Sequence, residues 1–82
     1  MFKAYILYSS KCDKFYSGHT HDLENRLAEH NQGETKSIKI CKPWKLVWQT
    51  EVETKGEAMK IENKVKKRGA RRFLQDLTIP VT

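Results

Sequence analysis

The chain lacks most of what would place it in a membrane, outside a cell or on a metal scaffold. No apolar run approaches the roughly 20 residues that span a bilayer. Met1-Phe2-Lys3-Ala4 leads directly into a strand-like pattern, without the apolar stretch and small-residue cleavage site of a signal peptide. A cytoplasmic location and no membrane partner are therefore expected. Cysteine is scarce: Cys12 and Cys41 are the only two, and they lack C-x-x-C spacing. Sequence leaves a disulfide between them open, but in a cytosolic protein two free thiols are expected, one in a loop and one before a strand. Together with His19, His21 and His30 they match no zinc-finger spacing, which argues against a structural zinc site. With 82 residues and no repeat, low-complexity tract or linker, the chain is expected to form one small domain over 1–78 with a short tail, 79–82.

Positive charge is abundant. The formal charge is +6 and the pI about 9.5, consistent with nucleic acid, an anionic membrane surface or an acidic protein as partner. Lys60, Lys64, Lys66, Lys67, Arg68, Arg71 and Arg72 crowd one stretch, with Glu62 as the opposing charge. The plainer reading of such a run is a solvated helix face.

Phe2 to Ser9 reads as a strand, Ser10 to Lys14 as a short connection, and Phe15-Tyr16-Ser17 as its hairpin partner, ended by Gly18, where a bend or close backbone approach needs no Cβ. Thr20 or Asp22 caps a helix with Leu23 and Leu27 on its buried side and Gly33 as its stop. Glu34 to Pro43 reads as a loop. Trp44, Leu46, Trp48 and Thr50 alternate with Lys45, Val47, Gln49 and Glu51 in a third strand, and Val47 implies partial cover on both faces. Thr54-Lys55-Gly56-Glu57 matches a capping box, opening a helix whose apolar stripe is Ala58, Ile61 and Val65. Gly69 breaks it, and Arg71 to Leu77 forms a last helix with Phe73, Leu74 and Leu77 inward. Pro80 marks the end of order. The expected fold is α+β, order β-β-α-β-α-α, with a three-stranded antiparallel sheet flanked by helices.

Several residues could carry chemistry on this frame. Tyr5 and Tyr16 lie on adjacent strands and could share a face; buried tyrosines usually fill space, but phenols are also weak acids. Arg26 and His30 are one helical turn apart, at the border of the Leu23/Leu27 side, or else are part of an ordinary charged face. Glu62 falls inside the apolar stripe, where a carboxylate must be paired, hydrogen-bonded or metal-bound. An ion pair with Arg26 or a nearby lysine is the plain alternative. Two phenols, a guanidinium, an imidazole and one carboxylate suffice to cut a phosphodiester with a single hard metal ion.

These residues resemble the GIY-YIG nuclease superfamily. Ala4-Tyr5-Ile6-Leu7 is similar to its first motif and Phe15-Tyr16-Ser17-Gly18 to its second. Arg26, His30 and Glu62 follow in the family's order, over nearly the whole chain. The likeness is greatest to small stand-alone bacterial members, which resemble the N-terminal nuclease domain of the excision-repair incision subunit. Lys3 stands where the first motif usually has Gly, His19 where many members have a basic residue such as Lys, and no Asn follows Gly69. The resemblance implies a metal-dependent endonuclease acting on DNA or RNA, selective for structure and not sequence, in repair or nucleic-acid processing. It implies Tyr5, Tyr16, Arg26, His30 and Glu62 as the catalytic set, with one Mg²⁺ or Mn²⁺ on Glu62. Tyr5, the deeper tyrosine, is favoured as base, and His30 hydrogen-bonds a tyrosine or the water. His19, Lys60, Lys64, Lys67, Arg68 and Arg71 would hold the phosphate backbone. The competing readings are a nucleic-acid-binding module with little catalysis and a protein-interaction domain with an acidic partner. A homodimer or a protein partner is compatible with each.

Overall fold

A computed structural model describes residues 1–32 and 40–77. Strands β1 (Phe2–Ser9) and β2 (Lys14–Thr20), helix α1 (Leu23–Gln32), strand β3 (Lys45–Val52), and helices α2 (Lys55–Arg68) and α3 (Ala70–Asp76) follow in the expected order. Both strand pairings are antiparallel and the sheet order is β2-β1-β3. β1 is central, so both its faces are covered and Ala4 to Ser9 are buried without a break.

The pleat divides the core in two. Tyr5 and Leu7 face Leu23 and Leu27 of α1, with Cys41, Trp44 and Leu46. Ile6 faces the other way, against Val65 and Ile61 of α2 and Leu74 and Phe73 of α3. Ile6, Leu7, Val65 and Leu74 are fully enclosed, and each contributes roughly 1.5–3 kcal/mol by leaving water.

Local signals set the element ends. The Asp22 carboxylate accepts from the Asn25 N–H and caps α1, while the Thr20 hydroxyl accepts from the Asp22 N–H. The Thr54 hydroxyl accepts from the Glu57 N–H at 3.2 Å and caps α2. Gly69, at φ 92°, ends α2 by donating to the Val65 carbonyl, and its own carbonyl accepts from Phe73 to start α3. That φ favours glycine.

Four expectations need correction. Gly18 does not end β2, which runs on to Thr20. The third strand does not alternate throughout. Leu7 pairs with Leu46 but Ile6 with Trp48, so Val47 is an extra residue in a bulge. The bulge sends Trp44 to the α1 side and Trp48 to the α2–α3 side, where it meets Phe73 edge to face at 5.0 Å. Leu77 lies beyond α3 and is exposed, not inward. Finally, Cys12 and Cys41 are not free thiols but form a disulfide, with Cα atoms 5.4 Å apart. The fold brings the β1–β2 turn against the segment before β3, and Ser9 ties them further by donating to the Cys41 carbonyl and accepting from the Cys12 N–H. The proposed Gly33 stop, most of the Glu34–Pro43 loop, and the tail with Pro80 lie outside the described residues.

Candidate active site

The register opposes Tyr5 to Gly18. Because residue 18 has no side chain, the Tyr5 ring lies across β2, and a Cβ there would stand 2.8 Å from its Oη. The phenol of a central strand thereby reaches the sheet edge. Tyr16, on the same face of β2, stacks against it with ring centroids 6.5 Å apart. His30 packs edge-on to Tyr16 at 4.5 Å and to Tyr5 at 6.4 Å, and Trp44 backs both Tyr16 and His30. Tyr5 is 3% exposed and Tyr16 37%, so one phenol is walled in and the other open to solvent.

Burial and the neighbouring Tyr16 push the Tyr5 phenol far above the ordinary tyrosine value; the Arg26 guanidinium opposes them. Burial, and then Arg26, hold His30 below its ordinary value, so the neutral imidazole is favoured. His30 makes no hydrogen bond to either tyrosine, and its buried Nε2 has no partner among the described residues. Arg26 is half-exposed on α1, with Glu29 at 3.5 Å.

Glu62 approaches from the other face of β2. Alternation along the strand turns His19 away from Tyr16 and Gly18 and toward α2. His19 Nδ1–H donates to Glu62 Oε1 at 2.6 Å, and Lys66, one turn along α2, donates to Oε2 at 2.7 Å. Burial disfavours the charge, but the hydrogen bonds from Lys66 and His19 outweigh it and hold the carboxyl below the usual glutamate range. The Glu62 charge reaches the Tyr5 phenol, and Tyr16 in turn acts on Lys66. The tyrosine pair and the carboxylate thus flank the β2 edge within electrostatic range of each other.

Among the described residues no three His, Cys, Asp or Glu side chains are grouped to hold a metal ion. A hard divalent ion asks for less, since Mg²⁺ keeps several waters and takes one or two carboxylates with substrate phosphates. Glu62, ionised and already facing an ammonium at 2.7 Å, fits that donor set.

The basic stretch divides into two groups. At about 100° per residue, Lys60, Lys64 and Lys67 fall on the side of α2 away from Glu62, Ala58 and Val65; they are exposed, without an ion pair among the described residues. Arg68 forks onto Asp76 through Nε and Nη2 at 2.9 and 3.1 Å. Arg71 donates to Asp13 at 2.6 Å and stacks on Phe15. Glu62 is therefore not the only charge opposing the run.

The sequence model of the GIY-YIG catalytic domain matches residues 1–74. The chain belongs to the GIY-YIG family. It is 42% identical over 69 residues to a UPF0213 protein of Staphylococcus saprophyticus, covering 80% of this chain and 83% of that one. A UPF0213 protein of Staphylococcus aureus is 36% identical over 66 residues, covering 77% and 80% respectively. The solution NMR structure of a UPF0213 protein from Bacillus halodurans superposes with a TM-score of 0.57 at 30% identity, covering 95% of this chain and 84% of that one.

Two departures from the GIY-YIG pattern now have a structural context. Lys3 pairs regularly with Thr20 and Glu51, so β1 runs straight through the position where glycine is usual. His19 does not face open solvent but holds the carboxylate. Of the ion pairs expected for Glu62, with Arg26 or a nearby lysine, the structure has the lysine: it is Lys66, four residues on, a recognisable helix pair. Gly18 was expected at the strand end, where a bend or close backbone approach needs no Cβ; the close approach is there, but it is to the Tyr5 ring and inside the strand.

Proposed function

We propose that the protein is a metal-dependent endonuclease that hydrolyses phosphodiesters in a polynucleotide, selecting for structure over sequence. The observation that carries this reading is the Tyr5–Gly18 opposition, which brings a second phenol to the β2 edge beside Tyr16, within electrostatic range of an ionised Glu62. Membership of the GIY-YIG family supplies the reaction class.

Glu62 would hold one Mg²⁺ or Mn²⁺, which would supply Lewis-acid stabilisation of the leaving oxygen. The rest falls to the chain. The Arg26 guanidinium binds the scissile phosphate and stabilises its developing charge. Tyr16, open to solvent, gives its hydroxyl proton to bulk water and, as phenolate, takes the proton of the attacking water. Tyr5, whose burial makes the phenolate costly, keeps its proton and donates a hydrogen bond that orients the water. This reverses the order expected from depth alone. Neutral His30, whose Nε2 has no partner among the described residues, offers a second anchor for that water. A role in repair or nucleic-acid processing, and action inside the cell, belong to the same proposal.

The test is cleavage of labelled duplex, nicked, flap and single-stranded DNA, and of RNA, at low salt with Mg²⁺ or Mn²⁺. Glu62→Gln should lose activity by about 10²-fold or more with unchanged unfolding; an equally active variant would sink the assignment. The second reading, a binding module of the same fold with little catalysis, is favoured by one observation: both Glu62 oxygens are already engaged, by His19 and Lys66. Binding without metal-dependent cutting by the parent protein would select it.

A further inference from the structure

The break between α2 and α3 opens a cleft of about 510 Å³ against β2. Lys66, Arg68, Arg71 and Arg72 line it, with Ser17 and the Phe15 ring as its floor. Gly69 forms part of the wall, and it is the positive φ there that turns the chain so that cations from two helices converge. We propose that this cleft seats one internal, non-scissile phosphodiester of the bound polynucleotide, beside the Glu62 site. The proposal rests on the polynucleotide reading of the Glu62 site but not on catalysis.

Charge, preorganisation and position support it. Three of the four cations have a carboxylate partner, Lys66 with Glu62, Arg68 with Asp76 and Arg71 with Asp13. Among the described residues Arg72 makes no ion pair, though its charge acts on Asp76; four cations against three carboxylates leave one unit of positive charge, which matches a phosphodiester monoanion. The ion pairs also act as braces. Asp13 receives the Tyr8 hydroxyl at 2.7 Å as well as Arg71, and Arg71 lies over Phe15 at 5.1 Å. Arg71 uses one nitrogen in that pair and Arg68 two, so both keep N–H donors for a ligand. Lys66 lines the cleft and touches Glu62, so the seat and the carboxylate adjoin along one backbone path. Lys60, Lys64 and Lys67, which the resemblance implied as backbone contacts, do not line the cleft, and in this proposal the backbone runs past Lys66 and Arg72 in their place.

The test is fluorescence anisotropy in EDTA with single-stranded DNA and RNA of one sequence, longer than the roughly 4–16 nucleotides a small domain covers. The parent, Arg72→Gln and Lys64→Gln proteins are compared between about 50 and 200 mM salt. Arg72 is exposed, and matching unfolding midpoints establish that its variant is folded. Arg72→Gln should bind about tenfold more weakly at low salt, with the slope of log K against log salt shallower by roughly 0.7–0.9. Lys64→Gln should stay close to the parent, and a 5′-phosphate on the strand should add nothing. If Arg72→Gln keeps the parent's affinity and slope, the seat is wrong while the nuclease reading stands. Equal loss in Lys64→Gln would move the backbone path to the outer side of α2 and overturn the proposal. A gain from the 5′-phosphate would replace the internal phosphodiester with a terminal monoester. A parent that binds neither DNA nor RNA would overturn the seat and the nuclease reading together.

Discussion

The Tyr5 hydroxyl lies 2.8 Å from where a Cβ on residue 18 would stand, so the phenol's path to the sheet edge exists only because residue 18 is glycine. The obstruction is not the loose end of a flexible chain. Tyr5 is buried, and its Cζ is only 3.0 Å from the same point. Gly18→Ala must therefore tilt the ring or part the strands, costing about 1–3 kcal/mol of stability. Cleavage should fall by at least about tenfold more than unfolding predicts, because a 1 Å misplacement can cost around 10²-fold in rate. Kinetics alongside denaturant unfolding would separate the two; activity that follows stability alone would remove Tyr5 from the mechanism.

His30 makes stability depend on pH. Its folded pKa is depressed by burial and by Arg26 below an ordinary value of 6.5. As pH falls through 6.5 the unfolded chain takes up a proton that the folded chain refuses, so stability falls with pH in that window and levels off below the folded value. Denaturant unfolding at pH 8 and 5.5 should show this loss in the parent and a smaller one in His30→Phe, which keeps a ring among Tyr5, Tyr16 and Trp44. Equal losses in both proteins would place the effect elsewhere.

Element order was legible because each end carries a local signal. Thr54, Asp22 and Gly69 are caps or breaks wherever the chain goes next. The five candidate site residues were legible from their order and from one anomaly, a carboxylate within the Ala58–Ile61–Val65 stripe. What escaped was set by contacts between distant segments. The Val47 bulge depends on β1 register, and a two-residue period cannot show which of its residues is the extra one. The pairing of Cys12 with Cys41 depends on how a turn meets a segment 29 residues away. The pairing of Arg71 with Asp13 spans 58 residues, so a count of charges within the basic run could not find it.

Lys66 occupies Glu62 Oε2 at 2.7 Å, so an ion taking that oxygen would have to displace the ammonium. Its side chain is largely exposed, so the pair is worth at most about 1 kcal/mol, roughly a fivefold effect. Lys66→Met should therefore tighten Mn²⁺ binding by a few-fold when titrated without nucleic acid, a condition that excludes its phosphate contacts. Unchanged or weaker binding would mean that the ammonium and the ion do not compete, and that the metal approaches by way of His19 and Oε1 or not at all.

The disulfide ties the β1–β2 turn to the segment that delivers Trp44, and Trp44 backs both Tyr16 and His30. Reduction should remove roughly 2–4 kcal/mol of stability by releasing a constraint on the unfolded chain. It should also loosen the wall behind the tyrosines, since Cys41 and Trp44 share one core cluster with Tyr5. A Cys12→Ser/Cys41→Ser protein should thus unfold earlier than the oxidised parent and no longer respond to reductant. Near-ultraviolet circular dichroism should report the altered setting of Trp44. If the oxidised parent and the double variant instead unfold together, the bridge adds nothing beyond what Ser9 already supplies through its bonds to Cys12 and Cys41.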